Sequence, residues 1–539
     1  MRFVVNTWFA ERLADAGIHS RFLEDHHPVH MPCLEIRRLD WAQAAELARR
    51  LEMRLVAVWA AEAGLHDASP SGDLPLYAYM AYAHPEHRHA LLRTELNTDE
   101  PVVHSISPHF IAACRMERSM QDMFGIRVQG IPDDRAWLKH EHWPEEALPL
   151  KRDFNAVQPM PSDPARMGID YPYVQSASSG VHEIPVGPVH AGIIEPGHFR
   201  FSVIGERILR LEERLGYVHK GIEKRFESMS LLQGAKLAGR VSGDSTVAYA
   251  WAYAMAAESI AGITPPDRAL WLRALLLERE RIANHLGDLG YLGNDVALSF
   301  GFAQFWILKE QVLRHNATLF GHRYLMDSIV PGGVAVQLDA AGKQLIEQEC
   351  LMLQREVAVL RGIYEEHAGV QDRFIGAGRV EPKLAAQLGL CGLAGRASAQ
   401  AWDARVQFAC APYDKLDVRM ATYRNGDVAA RVIVRFDELF ESLRLIGQIL
   451  VNLIHEEGAT RALEKLPANG FGIGMVEGWR GEVMVAIHTD AQGNLARVHP
   501  HDPSWQNWPV LEHAIIDNIV PDFPLINKSF NLSYSGQDL

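Results

Sequence analysis

Cysteine is scarce in this chain: five residues in 539, at Cys33, Cys114, Cys350, Cys391 and Cys410. No two stand in a Cys-x-x-Cys arrangement, which disfavours a disulfide framework, a zinc ribbon or an iron–sulfur cluster held by this chain alone. Each cysteine reads as a small buried residue. Long apolar runs are also missing, since none approaches the about 20 residues needed to cross a bilayer. The opening stretch MRFVVNTWFAERLAD carries acids where a signal peptide would have its apolar core. Both absences lead to the expectation of a soluble, cytoplasmic protein that docks on membrane subunits from outside the bilayer. Positive charge is in deficit, with 53 Lys and Arg against 67 Asp and Glu for a net charge of -14, and no basic cluster marks a nucleic-acid face.

What is present is the composition of a folded protein, 48% apolar and 22% charged, in a chain longer than one hydrophobic core usually supports. At least two domains are expected. Residues 1–153 read as a small α+β domain. Helical spacing runs from 40 to 52, strand-like runs cover 55–59, 76–83 and 90–96, and a helix near 109–124 is ended by Gly125. Residues 154–181, rich in Pro and Ser and without a period, read as a linker wrapped on a surface by Tyr171 and Tyr173. Residues 182–539 read as a mainly helical domain with β elements near both ends. Helices are expected within 229–259, from 268 onward, and at 302–326, 341–368, 383–388 and 427–456, and strands at 472–475 and 483–488. Arg279 falls on the apolar face of the helix that starts near 268, so it needs a buried carboxylate.

Chemistry concentrates at 187–201, GPVHAGIIEPGHFRF, where His190, Glu195 and His198 share a loop that runs into alternating Phe199, Phe201 and Val203. The alternation resumes at Leu209 and Leu211, which predicts a β-hairpin with Gly205 in its turn. A solvated surface turn explains the same residues equally well at this level.

Two family patterns follow one another along the chain. Residues 117–151, beginning ERSMQDMFGI, resemble the C-type subunit of bacterial NADH-quinone oxidoreductase, complex I. The second domain resembles the D-type subunit of complex I and, more closely, the large subunit of group 4 energy-converting NiFe hydrogenases of the formate hydrogenlyase type. The residues that carry this are GPVHAGIIEPGHFRF, YVHKGIEK (217–224), LLLERERIANHLGDLG (275–290), GDVAARVIVRFDELFESLRLI (426–446), EGWRGEV (477–483) and the tail FPLINKSFNLSYSGQDL. The resemblance implies an α+β chain: a small C-type domain fused to a large, mainly helical hydrogenase-like domain of the D type with peripheral β-hairpins. It also implies a place in a membrane-bound, ion-translocating oxidoreductase complex, on the cytoplasmic face of the inner membrane. The partners implied are a small iron–sulfur subunit like the B-type one of complex I, which would hold the cluster, and antiporter-like membrane subunits.

The sequence departs from the hydrogenases where the metals would sit. Their two Cys-x-x-Cys pairs fall here on Ser242 and Ser245, and on Ser533 and Gly536. A serine hydroxyl is hard and protonated at neutral pH, so it does not replace a bridging thiolate, and an active NiFe centre is not expected. Complex I uses the corresponding cavity for quinone. By position its histidine and its aspartate fall on His198 and Asp295, a pair able to polarise a quinone carbonyl, while its tyrosine falls near Leu237 and is absent. Arg480 takes the place of the hydrogenase active-site arginine, for an anionic or carbonyl ligand or for a structural pair with Glu477, Glu482 or Asp244. Asp244 adds charge to the emptied ligand loop. His190, Asp244, Ser242, Ser245 and Ser533 complete the expected lining, and Glu195 matches a carboxylate near a magnesium site. Glu223, Lys224, Glu278, Arg279 and Glu310 are read as relay charges or, more commonly, structural ion pairs. No metal or cofactor is expected in this chain itself. A scaffold that couples motions without a substrate is the alternative function.

Overall fold

A computed structural model describes residues 7–23, 31, 33–62, 75–84, 86, 88–140, 143–144, 146–158, 171–175, 180–190, 194–453 and 458–539. Part of the 154–181 stretch and the end of the expected 427–456 helix lie outside the described residues.

The first domain is built on a five-stranded sheet in the order Ser20–Phe22, Cys33–Ile36, Arg88–Leu96, Leu76–His84, Arg54–Glu62. Only the contact between Cys33–Ile36 and Arg88–Leu96 is parallel. The helix Trp41–Arg50 buries Trp41, Ala44, Ala45 and Ala48, one face of a 3.6-residue period. The helix Ala113–Phe124 begins later than its pattern suggested and stops at Gly125, whose φ of 70° a side chain would resist.

In the second domain the hairpin His198–Ile204 and Arg207–Arg214 turns through Gly205, as its alternation predicts. A bundle follows, made of helices Asp267–Asp295, Ser299–Phe320, Ala340–Glu366 and Val428–Asn452. The helix Asp267–Asp295 is buried along most of its length, and several of its charges pair with neighbouring elements. Arg279 meets Glu349 at 2.5 Å and Arg273 meets Glu258 at 2.5 Å.

A three-stranded antiparallel sheet, Phe471–Glu477, Glu482–Thr489 and Leu495–His501, lies on the helix Thr246–Ala261. Contact is close because small residues face each other. A Cβ on Gly474 would sit 2.0 Å from the Ala252 carbonyl oxygen, and one on Gly472 would sit 2.3 Å from that of Ala256. The third strand has no counterpart in the sequence pattern: it is buried on both faces and contains His499, Pro500 and His501, so no alternation marks it. This sheet also joins the domains. Trp59 stacks on Tyr79 and on His499, Tyr79 on Phe471, and Arg54 meets Glu482 at 2.7 Å.

Candidate functional site

Three segments far apart in sequence converge behind the long helix. They are the loop 239–245 ahead of helix Thr246–Ala261, the turn between strands Phe471–Glu477 and Glu482–Thr489, and the C-terminal segment from 531 onward. The Ser242 hydroxyl donates to Asp244 Oδ1 at 2.8 Å and lies 2.9 Å from Ser533 Oγ. Since the Ser242 proton goes to Asp244, the Ser533 hydroxyl is the donor in the second bond. Ser533 Oγ in turn accepts from the Gly536 backbone N–H at 2.9 Å. Arg480 grips Asp244 with both terminal nitrogens, its Nη1 2.7 Å from Oδ1. The same guanidinium donates to the Asn531 carbonyl at 2.5 Å and to Ser245 Oγ at 3.3 Å, and it lies 4.2 Å over the Trp479 ring. The Trp479 indole N–H closes on the Asp244 carbonyl at 2.9 Å.

All four residues in place of the expected thiolates therefore lie in one hydrogen-bonded cluster, with an arginine as its cation. Burial alone would raise the Asp244 carboxyl, but the Arg480 guanidinium and the Ser242 hydroxyl outweigh it and hold the group down at about 2. Asp244 and Arg480 are thus both charged at neutral pH and neutralise each other. The sequence offered Glu477, Glu482 and Asp244 as partners for Arg480, and the structure pairs it with Asp244.

Position 536 has no room for a side chain. A Cβ there would fall 2.5 Å from Asp502 Oδ2 and 2.9 Å from Ser533 Oγ. Asp502 is fixed by the Tyr249 hydroxyl at 2.6 Å and the Ser504 N–H at 2.8 Å. Neither Asp502 nor Tyr249 was singled out by sequence reasoning, because no motif marks them; only the fold brings them beside the tail. Gly536→Ala should cost about 1–3 kcal/mol through overpacking, read as a lower midpoint in chemical denaturation. An unchanged midpoint would mean that Asp502 moves aside freely.

The histidine loop is tied down on the other side of the tail. His190 Nε2 lies 2.7 Å from the Gly197 carbonyl, and Glu195 accepts from the Ser535 N–H at 3.2 Å. His198 Nδ1 faces the Gly187 carbonyl at 3.3 Å, its ring lies 5.3 Å from that of Tyr173, and its Nε2 is buried with no hydrogen-bond partner among the described residues. Burial lowers its basicity, so the neutral ring is favoured at neutral pH. Among the described residues His198 makes no hydrogen bond to Asp295. That aspartate ends the long helix, where burial raises its carboxyl and Lys528 opposes the rise. Leu237, in the position of the absent tyrosine, is a buried core residue of the helix Leu231–Ala238.

The other charges singled out are paired. Glu223 holds Arg497 at 2.7 Å and His499 at 2.8 Å, Lys224 holds Glu227 at 2.8 Å, and Glu278 holds Arg405 at 3.1 Å. Glu310 pairs with Arg314 and Arg323 on the surface. Among the described residues no group of three or more metal-binding side chains is assembled, and no helix is long and apolar enough to cross a membrane.

This architecture, a small sheet domain fused to a helical domain in which two emptied ligand pairs meet, has clear relatives. The family described as respiratory-chain NADH dehydrogenase, 30 Kd subunit, matches residues 34–159, and the 49 Kd subunit family matches residues 295–470. Formate hydrogenlyase subunit 5 of Escherichia coli (strain K12) is 31% identical over 449 residues, covering 83% of this chain and 79% of its own. Hydrogenase-4 component G of the same organism is 30% identical over 481 residues, covering 88% and 82%. The C/D subunit of NADH-quinone oxidoreductase from Bacteroides fragilis is 28% identical over 441 residues, covering 76% and 80%. A chain in the structure of the membrane-bound sulfane sulfur reductase (MBS), an archaeal respiratory membrane complex, superposes with a TM-score of 0.64 at 24% identity, covering 68% of this chain and all of that one. The chain belongs to the family of fused 30 and 49 kDa respiratory-chain NADH dehydrogenase-type subunits that includes formate hydrogenlyase subunit 5.

Proposed function

We propose that the protein is a peripheral subunit of a membrane-bound, ion-translocating oxidoreductase complex, docked on the cytoplasmic face of the inner membrane. In this reading it works without a NiFe centre and couples changes at a partner's iron–sulfur cluster to the membrane subunits. The observation that carries the reading is the Arg480–Asp244 pair at the convergence of the four ligand positions, which fills with fixed charge the place where a metal centre would sit. The resemblance to complex I and the group 4 hydrogenases supports a small iron–sulfur subunit and antiporter-like membrane subunits as the partners. Purification of the tagged chain from membranes should bring down both, with no stoichiometric nickel. A chain recovered alone from gently solubilised membranes, or one with stoichiometric nickel, would overturn this reading.

A second reading, in which a quinone-type carbonyl is bound, is favoured by one feature, the open hydrogen-bonding capacity of His198 Nε2. If that nitrogen donates to a substrate carbonyl, His198→Ala should lower quinone-linked turnover by about a hundredfold while the complex still assembles. Unchanged turnover per assembled complex leaves the coupling role alone standing.

A further inference from the structure

Tyr171 and Tyr173 are seated beside the histidine loop by a set of guanidiniums drawn from both domains. Arg118, on the helix Ala113–Phe124, donates from Nη2 to the Tyr171 hydroxyl at 2.7 Å, and the Arg214 and Arg135 guanidiniums lie 4.2 and 5.0 Å from the Tyr171 ring. Arg135 also donates to the Pro172 carbonyl at 2.9 Å, and the Val174 N–H donates to Glu212 Oε2 at 3.1 Å. These grips set Tyr173 edge-to-face on Tyr171 at 4.9 Å, with Arg200 4.2 Å over its ring and His198 against it.

Two features make the contact with His198 a reversible one. The grips on residues 171–174 are hydrogen bonds and cation–π contacts close to the surface: Tyr171 and Tyr173 are half-buried, Pro172 and Val174 are exposed, and none of the four packs against a hydrophobic cluster. A segment held in this way separates from the fold at a small fraction of the cost of unfolding it. His198, for its part, gains by the separation. With Nδ1 turned to the Gly187 carbonyl, its Nε2 is shut away from solvent and unsatisfied, and the unmade hydrogen bond is restored once water or a ligand reaches that nitrogen. We propose that residues 171–174 form an autoinhibitory strap, closed over His198 in this structure, which must lift before Nε2 can meet a ligand carbonyl. This rests on the reading of His198 as a ligand-binding group, but its test needs no quinone.

Carbethoxylation of the full chain by diethyl pyrocarbonate, mapped by mass spectrometry, reads the access to each imidazole. In the unmodified chain His198 should label about tenfold or more slowly than the exposed His104. Tyr171→Phe, which removes the Arg118 hydrogen bond and leaves Tyr173 unchanged, should speed the labelling of His198 about fivefold, and Tyr173→Ala should bring it close to the rate of His104. The fully buried His285 records unfolding of the whole domain and should stay unlabelled in all three proteins. Labelling of His198 as fast as that of His104 in the unmodified chain overturns the strap. So does an unchanged rate in Tyr171→Phe, which would make Tyr173 a fixed cover, or a parallel rise at His285, which would trace the access to general unfolding. Labelling as expected, together with turnover that ignores His198→Ala, would remove the quinone reading and leave the strap standing.

Discussion

Glu438→Ala is expected to destabilise the C-terminal domain by about 3–5 kcal/mol, because it strips the shared partner from two buried guanidiniums. Glu438 binds Arg281 at 2.6 Å and Arg396 at 2.7 Å, with His285 at 3.4 Å, and all four side chains are essentially out of solvent. Arg396 retains Glu477 at 2.7 Å, but Arg281 keeps only a longer contact to Glu278 and two backbone carbonyls. Burial alone would raise the Glu438 carboxyl, yet the two arginines hold it well below the ordinary carboxylate range. A group with a depressed folded pKa contributes stability that is fully present above its unfolded value of about 4.3 and is lost as pH falls below that. The unmodified protein should therefore lose stability on acidification below about pH 4.3, and Glu438→Ala should lose less over the same range. Denaturant titrations at several pH values measure both. Equal acid sensitivity in the two proteins would show that Glu438 is not a principal source of it.

Gly392→Ala should have an effect of similar size, transmitted to the candidate site. Gly392 has a φ of 63°, and a Cβ there would fall 1.7 Å from the Arg480 carbonyl oxygen and 2.7 Å from Gly481 Cα. The left-handed backbone costs a side chain about 1–3 kcal/mol, and crowding adds about 1–3 kcal/mol. Neither neighbour is the end of a flexible chain that could swing away, so the turn carrying Arg480 must shift. Gly392→Ala should therefore lower the denaturation midpoint and loosen the Arg480 grip on Asp244. A double-mutant cycle with Asp244→Asn would register this as a coupling energy. Additive losses would place Gly392 outside the site's support.

Much of this was legible in the sequence. Serine and glycine at 242, 245, 533 and 536 could be read against the hydrogenase pattern, and the hairpin around Gly205 was marked by alternation. That the four positions meet is a property of the tertiary fold, since Ser242 and Ser533 lie on either side of the whole helical bundle in the chain. The partner of Arg279 had to exist, but Glu349 is one of several acids on the helix Ala340–Glu366, and spacing alone could not choose it. The strand Leu495–His501 escaped because burial on both faces erases the alternation that reveals a strand. Positional resemblance named His198 and Asp295 but carries no distances, and here each is engaged by other neighbours.

The sheet between the domains has a consequence for how the chain can be divided. Trp59, Tyr79, Phe471 and Met484 belong to one hydrophobic cluster, so the two halves meet as parts of a shared interior, alongside the buried Arg54–Glu482 pair. Half of such an interior, standing alone, would present large aromatic surfaces to water. Two separately encoded halves should therefore seek each other out through those aromatic faces, so that a gene cut between them would still specify one particle.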